Sequence, residues 1–262
     1  MRILTALVGI PIVVALAWWG GWAFALLVAG ISVAAQVELY GLLRARGTNS
    51  GGPIALAAGA CVALFTMSAW FGVGALVLTL TSLGTWPVRG RVEGSLAGAG
   101  GTVFGIIYPT AFLAFLVALR NDGMIAGDDG FVRALGVIVL VWAADTGAYY
   151  AGRTLGRHPL APAVSPKKTW EGFAGGVVVA LGTGWAIGTW GGAGIESAHW
   201  IALGGIAAIF GPIGDLFESA LKRDAGVKDS AGWLPGHGGF LDRFDALAFV
   251  APLAWVYLRY VA

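Results

Sequence analysis

The sequence predicts an all-α, polytopic integral membrane protein with about nine transmembrane helices. Of its 262 residues, 58% are hydrophobic and only 11% are charged, whereas soluble domains carry about 25% charged residues. The apolar residues form continuous runs close to 20 residues long, which is the length a helix needs to cross a bilayer. Because the runs are continuous and do not alternate with polar residues, they do not fit the strands of a membrane β-barrel.

Nine apolar runs are candidate spans, and tryptophans lie at many of their ends, as expected at the membrane interface. The first run lacks a convincing cleavage site and is interpreted as a retained helix. The fourth is short enough to be tilted, re-entrant or fused to the third. The predicted spans are residues 3–19, 22–43, 53–70, 73–86, 101–119, 131–151, 172–190, 200–221 and 241–261.

The basic residues predict the orientation of the spans. With nine spans, the N-terminus and the loops after spans two, four, six and eight share one side, and 13 of the 16 Lys and Arg residues fall there. That side is predicted to be cytoplasmic. Only Arg120, Arg133 and Arg259 fall on the other side. We expect a single membrane domain over residues 1–262, with N-terminal helices in 1–120 and catalytic helices and cytoplasmic loops in 131–262.

Four carboxylates lie in or at the ends of apolar runs, namely Glu38, Asp145, Asp215 and Glu218. Ionisable side chains in such places are costly and are functional candidates by default. Asp145 could instead make a helix-packing hydrogen bond to a nearby Thr or Tyr. Glu38 precedes Arg44 by six residues and is interpreted as an interfacial ion pair.

Two carboxylate pairs share the spacing i, i+3, which places both members of a pair on one helical face. Asp215 and Glu218 form one pair, and Asp242 and Asp245 form the other. Together they could bind a hard cation such as Mg²⁺, which proteins often hold with one or two carboxylates plus substrate phosphates. The alternative is that Asp242 and Asp245 neutralise nearby bases and favour a helix N-terminus.

Basic residues and glycine turns accompany these carboxylates. Residues 165–171 combine hydroxyls, Lys167 and Lys168 with the start of a helix, which is a typical anion site. Lys222, Arg223 and Lys228 follow span eight, and the turn at residues 235–239 contains His237. These bases could also be ordinary positive-inside residues or contacts to anionic lipids. The mixture of acids and bases favours phosphoryl or nucleotidyl transfer involving a lipid.

The C-terminal half resembles the phosphatidate cytidylyltransferases, or CDP-diacylglycerol synthases. The stretch from Ser219 to Asp245 matches their signature without departure over its 27 positions, and residues 145–149 and 165–172 also resemble that family. The resemblance runs from about Val141 onward; the N-terminal half matches only as a string of apolar helices. Within the signature, the matching residues are Ser219, Leu221, Lys222, Arg223, Lys228, Asp229, Ala231, Leu234, Pro235, His237, Gly238, Gly239, Phe240, Asp242, Arg243, Phe244 and Asp245.

The resemblance implies an enzyme of phospholipid biosynthesis that transfers CMP from CTP to phosphatidate, giving CDP-diacylglycerol and pyrophosphate. It also implies dependence on Mg²⁺, a second cation such as K⁺, a homodimer, and a multi-pass location in the cell (inner) membrane with the active site facing the cytoplasm. The expected partners are the two substrates and membrane lipids, not nucleic acid.

Residue roles follow from the same resemblance. Asp215, Asp242 and Asp245 are expected to bind Mg²⁺ and to act in catalysis together with Lys222 and Arg223. The expected substrate-binding residues are Asp145, Ser165, Lys167, Lys168, Thr169, Lys228, Asp229, His237 and Arg243.

Two other functions compete with this prediction. Another CTP-dependent membrane lipid kinase would share a metal and triphosphate site but transfer a different group. An ion or solute transporter would place its charged residues near the bilayer midplane, whereas most charge here is predicted at the cytoplasmic edge.

Overall fold

The protein is largely helical. The computed structural model describes residues 2–88, 90, 92–123, 129–191, 194–231, 233 and 238–262, with the backbone alone over residues 2–6. A π-helical segment, Ile106–Ala111, connects α5 to α6. The other elements are α1 Arg2–Trp19, α2 Gly21–Ala45, α3 Pro53–Ala63, α4 Ala69–Val88, α5 Ser95–Gly105, α6 Phe112–Asn121, α7 Gly130–Leu155, β1 Pro159–Ala161, β2 Ser165–Thr169, α8 Trp170–Trp190, α9 Ser197–Asp224 and α10 Leu241–Tyr260.

Six helices of the described chain are long and apolar enough to cross a membrane. Each of the nine predicted spans contains a helix, so the helical, multi-pass character of the protein is confirmed. The number of helices that cross the bilayer stays a prediction. The six helices are α2, α4, the continuous segment Ser95–Asn121, α7, α8 and α9.

The predicted third span is wrong in its extent. A helix was expected over residues 53–70, but α3 ends at Ala63 after 11 residues. At 1.5 Å per residue, α3 is about 17 Å long, which is well short of the roughly 30 Å hydrocarbon core. The fourth span, expected to be the short one, is instead a 20-residue helix that begins at Ala69.

A two-stranded antiparallel hairpin, β1–β2, stands where residues 165–171 were expected to open the seventh span. Pro159 pairs with Thr169, and Ala161 pairs with Ser165. Prolines at 159, 162 and 166 disfavour a helix here, because each lacks an N–H and restricts the residue before it to extended backbone. The all-α prediction therefore needs this one small sheet added to it.

The chain forms two compact units. The first unit comprises Met1–Val117 and Leu221–Phe244, and the second comprises Ala118–Ala220 and Asp245–Ala262. Each unit contains apolar helices and a share of the charged residues singled out in the sequence.

Tyr40 of α2 organises the core of the first unit. Its hydroxyl donates to the Thr102 carbonyl at 2.8 Å and accepts from Gln36 Nε2 at 3.0 Å. Its ring packs with Ala55, Ala58 and Ile106. A buried hydroxyl that both donates and accepts loses no hydrogen bond on leaving water, so this tyrosine can join three helical segments at little cost.

Small residues bring α7 and α8 of the second unit into close contact. A Cβ added to Gly175 would lie 2.2 Å from the Cβ of Ala151, and one added to Gly176 would lie 2.9 Å from the Ala144 carbonyl oxygen. Small residues at a helix interface allow the backbones to approach closely, which is a common packing mode in membranes. The contact fixes two of the helices that line the cavity described below.

Candidate active site

A cavity of about 560 Å³ opens in the second unit. It lies where the C-terminal part of α7, the β1–β2 hairpin, the start of α8 and the middle of α9 come together. Acidic and basic side chains line it side by side, so it offers both cation-binding and anion-binding groups. The charged and hydroxyl-bearing lining residues are Asp145, Tyr149, Arg153, Lys167, Lys168, Thr169 and Asp215.

An ion pair joins two sides of this cavity. Lys168 Nζ lies 2.8 Å from Asp215 Oδ2, with the side chains 25% and 38% exposed. The Ser219 hydroxyl donates to the other oxygen, Asp215 Oδ1, at 3.3 Å. Asp215 is thus held in place by groups from β2 and from its own helix, while it stays accessible from the cavity.

Three carboxylates of the second unit lie close enough to interact electrostatically. Asp245 interacts with Asp215 and Asp145, and Lys168 offsets part of this repulsion. Asp245 is 8% exposed, whereas Asp145 and Asp215 line the cavity. Of the three predicted Mg²⁺ ligands, Asp215 and Asp245 belong to this acidic group and Asp242 lies in the first unit. The metal role of all three stays a prediction.

Mg²⁺ fits this donor set only as an ion shared with substrate. Across the described ranges, no three His, Cys, Asp or Glu side chains are arranged so that they alone could hold a metal ion. Mg²⁺ is typically bound by one or two carboxylates, with waters and substrate phosphates completing its shell. The carboxylates of Asp145, Asp215 and Asp245 supply ligands of that chemistry.

The start of α8 contributes a second anion-binding feature to the cavity. The Thr169 hydroxyl accepts from the Gly172 N–H at 3.1 Å, so Thr169 is the N-cap of α8. The remaining amides of the first turn and the helix dipole favour a negative charge near this end. Lys167 and Lys168 immediately precede the cap, which makes this edge of the cavity suitable for phosphate.

Asp242 lies in the first unit, within a dense network of hydrogen bonds. Its Oδ1 accepts from the Lys222 ammonium, and its Oδ2 accepts from Gly239 N at 2.8 Å and from Ser230 N at 3.1 Å. The Ser230 hydroxyl also lies 2.9 Å from Oδ2. The alternative raised from the sequence, that Asp242 neutralises a base, therefore describes its present state, with Lys222 as the base.

Glu38 of α2 takes part in the same network and does not behave as the interfacial ion pair expected from the sequence. Its carboxylate accepts from the Ser230 hydroxyl at 2.8 Å, from Phe240 N at 2.9 Å and from Leu241 N at 2.8 Å. Glu38 is 3% exposed. It is thus a buried carboxylate that binds a loop 192 residues further along the chain.

The other predicted residues lie in β2 and around the loop between α9 and α10. Ser165 begins β2, while Arg223, Lys228, Asp229 and Arg243 are exposed. Arg223 donates to the Val227 carbonyl at 3.2 Å. His237 lies outside the described residues.

Sequence reasoning missed two residues of the cavity and assigned Glu38 the wrong partner. Arg153 and Tyr149 line the cavity, and Arg153 Nη1 donates to the Tyr149 hydroxyl at 3.1 Å. Tyr149 lies about one helical turn after Asp145 on α7 and Arg153 about two, and these positions were the available signal. Glu38 was recognised as a carboxylate inside an apolar helix, but its partners in the loop before α10 were not predicted.

A family profile described as "Cytidylyltransferase family" matches residues 1–261. The chain belongs to the cytidylyltransferase family. Membership extends across both units, including the N-terminal half, where the residues alone gave no specific resemblance.

Individual relatives in this family carry a common name. The chain is 46% identical over 120 residues to a phosphatidate cytidylyltransferase of Bacillus subtilis (strain 168), covering 46% of this chain and 45% of the relative. It is 46% identical over 127 residues to one of Staphylococcus aureus (strain COL), covering 48% of each chain. A third, from Staphylococcus saprophyticus, is 38% identical over 171 residues, covering 64% of this chain and 62% of the relative. The matches thus span about half to three fifths of each relative.

Proposed function

We propose that this cytidylyltransferase-family protein transfers CMP from CTP to phosphatidate, yielding CDP-diacylglycerol and pyrophosphate. The observation that carries the proposal is the cavity of the second unit, where Lys167, Lys168 and Arg153 lie beside Asp145 and Asp215. Such a mixture of charges suits a triphosphate and its cation. The relatives named phosphatidate cytidylyltransferase supply the identity of the lipid substrate.

The chemistry requires little from the protein beyond positioning and charge. A phosphate oxygen of phosphatidate attacks the α-phosphorus of CTP, the bond between the α-phosphorus and its bridging oxygen breaks, and pyrophosphate leaves. Phosphatidate brings its own anionic nucleophile, so no strong general base is needed. Lys167, Lys168 and Arg153 would offset the repulsion between the two anionic substrates and hold them in line.

Asp215 and Asp245 are the proposed Mg²⁺ ligands in the second unit, and Asp145 lies close enough to assist. When bound with the CTP phosphates, Mg²⁺ would neutralise charge that develops on the leaving pyrophosphate. Lys168 already neutralises Asp215, so it is the residue whose position should respond most to a bound ion. The metal role of Asp242, the catalytic roles of Lys222 and Arg223, and a second ion such as K⁺ stay predictions from the sequence.

Location and assembly complete the proposal. We place the N-terminus and the loops with most basic residues in the cytoplasm, where CTP is available, and nine helical segments in the cell membrane. The homodimer is also a proposal. It could be tested by measuring the mass of the purified protein in detergent, with the detergent contribution subtracted.

A labelling experiment tests the activity. Purified protein would be mixed with phosphatidate in detergent micelles, Mg²⁺ and CTP that carries its label on the α-phosphate. We expect label in the lipid fraction, release of pyrophosphate, and loss of both when EDTA is added.

Label in lipid from γ-labelled CTP alone would mean a CTP-dependent lipid kinase instead. Failure to label lipid from either nucleotide, by protein that unfolds cooperatively on heating, would reject both enzymatic functions and leave the transporter as the remaining candidate.

A further inference from the structure

Glu38 binds the segment between α9 and α10 at two places. It accepts from the hydroxyl of Ser230, within the loop, and from the amides of Phe240 and Leu241, where α10 begins. The first turn of a helix leaves amides without partners inside the helix. A carboxylate is the strongest acceptor for them, so Glu38 serves α10 as an N-terminal cap supplied by a distant helix.

Ser230 connects Glu38 to Asp242. Its hydroxyl lies 2.8 Å from Glu38 Oε2 and 2.9 Å from Asp242 Oδ2, while its own N–H donates to Asp242. Gly239 N also donates to Asp242 Oδ2. Glu38 therefore binds Ser230, which donates to Asp242 Oδ2, and the two amides that follow Gly239, the other donor to that oxygen, whereas Lys222 donates to Oδ1.

The backbone around Gly239 shows how closely this network is packed. A Cβ at Gly239 would lie 2.2 Å from both Glu38 Oε2 and the Ser230 hydroxyl. Gly239 is therefore a close-approach glycine, and its lack of a side chain allows the Glu38 carboxylate to reach the amides.

We propose that Glu38 is a positioning residue, which holds Ser230 and the start of α10 so that Asp242 keeps a fixed orientation. The inference rests on the proposed function and on the metal role that the sequence predicts for Asp242, because it assigns Glu38 to the enzyme's use of Mg²⁺ through that carboxylate. It brings the N-terminal helices into the chemistry, although the signature residues all lie in the C-terminal half.

The isosteric variant Glu38→Gln tests this. Each Glu38 oxygen accepts at least one hydrogen bond, Oε1 from Phe240 N and Oε2 from Leu241 N and Ser230. A glutamine replaces one of those oxygens with an NH₂ group. That group cannot accept a hydrogen bond, so the N–H or O–H that now donates to the oxygen would lose its acceptor. We expect faster hydrogen exchange at the amides of residues 240 and 241, measured by mass spectrometry in detergent.

The functional readout is the Mg²⁺ concentration that gives half-maximal transfer of α-label into lipid. Loss of a group that orients a metal ligand typically weakens metal affinity about 10- to 100-fold, so we expect this concentration to rise at least about tenfold in Glu38→Gln. Glu38→Asp keeps both oxygens on a shorter side chain and should recover part of the loss. It also serves as the test variant if Glu38→Gln does not fold.

Gln36→Met provides a matched control on the same helix. Gln36 is fully buried and donates to Tyr40 and to the Ala55 carbonyl, away from the loop. Its replacement should lower the melting temperature and leave both the Mg²⁺ requirement and the exchange at residues 240 and 241 unchanged.

Unchanged exchange in the Glu38 variants would overturn the inference, and so would faster exchange with a wild-type Mg²⁺ requirement, which would make Glu38 a structural cap only. If the wild-type protein labels no lipid, the proposed function fails and the positioning role fails with it. Hydrogen exchange would then still report whether Glu38 holds the loop.

Discussion

At the scale of single residues, Lys168 connects the acidic and basic sides of the cavity. Its ammonium lies 2.8 Å from Asp215 Oδ2, and it also interacts with Asp145 and Asp245. A lysine that is attracted to three carboxylates reduces their mutual repulsion before any cation or nucleotide arrives. When a triphosphate enters, the same ammonium can turn toward it.

Replacing Lys168 with methionine should therefore impair catalysis more than folding. Lys168→Met keeps the length of the side chain and removes its charge. We expect transfer of α-label from CTP to lipid to fall about 10²-fold or more, which is typical of losing one preorganised charge-stabilising group. The measurement is initial rate at saturating phosphatidate.

Arg157→Met is the control for this variant, because Arg157 is an exposed base in the loop between α7 and β1 and is not among the residues that line the cavity. It should keep near-wild-type activity. An active Lys168→Met protein, or an equal loss in both variants, would remove Lys168 from the proposed site.

The sequence indicated the surroundings of Lys168 better than those of Glu38. Lys168 and Asp215 were singled out from the sequence because clustered charges stand out in an apolar chain, and their functional roles stay predictions. Glu38 was visible as an embedded carboxylate, but its partners lie about 190 residues away, and the nearby Arg44 offered a simpler explanation. Spacing in the sequence predicts contacts between residues that are near one another in the chain, but not contacts between residues far apart in it.

At the scale of elements, the cavity depends on the close approach of α7 and α8. Gly175→Ala would place a methyl group 2.2 Å from the Cβ of Ala151. Overpacking of this kind costs about 1–3 kcal/mol, and separating the helices would widen the cavity. We expect a lower melting temperature in detergent and reduced activity.

Gly182→Ala, on the same helix, is its matched control. Nothing lies within 4 Å of a Cβ at Gly182, so the substitution should leave the melting temperature and the activity close to those of the wild type. Equal melting temperatures for the two variants would show that the α7–α8 contact does not limit stability.

The cap of α8 supports a separate prediction. Thr169 was expected to bind substrate, and the structure gives its hydroxyl a hydrogen bond to Gly172 N. Thr169→Ala should lower the free energy of unfolding by about 1 kcal/mol, as loss of an N-cap typically does. Thr169→Ser keeps the hydroxyl and should restore that stability, with thermal unfolding as the measurement.

Comparing activity in the same two variants separates capping from substrate binding. If Thr169→Ala loses stability but keeps its KM for CTP, the residue acts as a cap alone. A raised KM in Thr169→Ala, restored in Thr169→Ser, would add the substrate role predicted from the sequence.

Helix boundaries were less predictable than helix positions. The long apolar helices follow from composition, since a buried or lipid-facing run of about 20 residues has few other structures open to it. The end of α3 at Ala63 had no such signal, because residues 64–70 are almost as apolar as the helix before them. The hairpin carried a signal in its three prolines, but the nearby anion-site pattern was given more weight.

At the scale of the whole molecule, the placement of basic residues predicts which loops face the cytoplasm. The single cysteine, Cys61, allows a direct test after Cys61→Ser removes it. R157C should react with a membrane-impermeant maleimide only after right-side-out vesicles are opened. A262C should react in sealed vesicles.

Reaction of R157C in sealed vesicles would place the basic loops outside and contradict the proposed location of the site. If R157C and A262C react under the same condition, the chain crosses the membrane an even number of times between them. The span count after α7 would then need revision.

The two units are interleaved along the chain. Residues 221–244 join the first unit, and all three boundaries between the units fall inside helices, at α6, α9 and α10. No single cut in the gene could therefore produce either unit as one uninterrupted polypeptide. A fragment beginning at residue 118 would retain Ser230 and Asp242 but lack Glu38, so separately expressed halves should regain activity only when they are produced together.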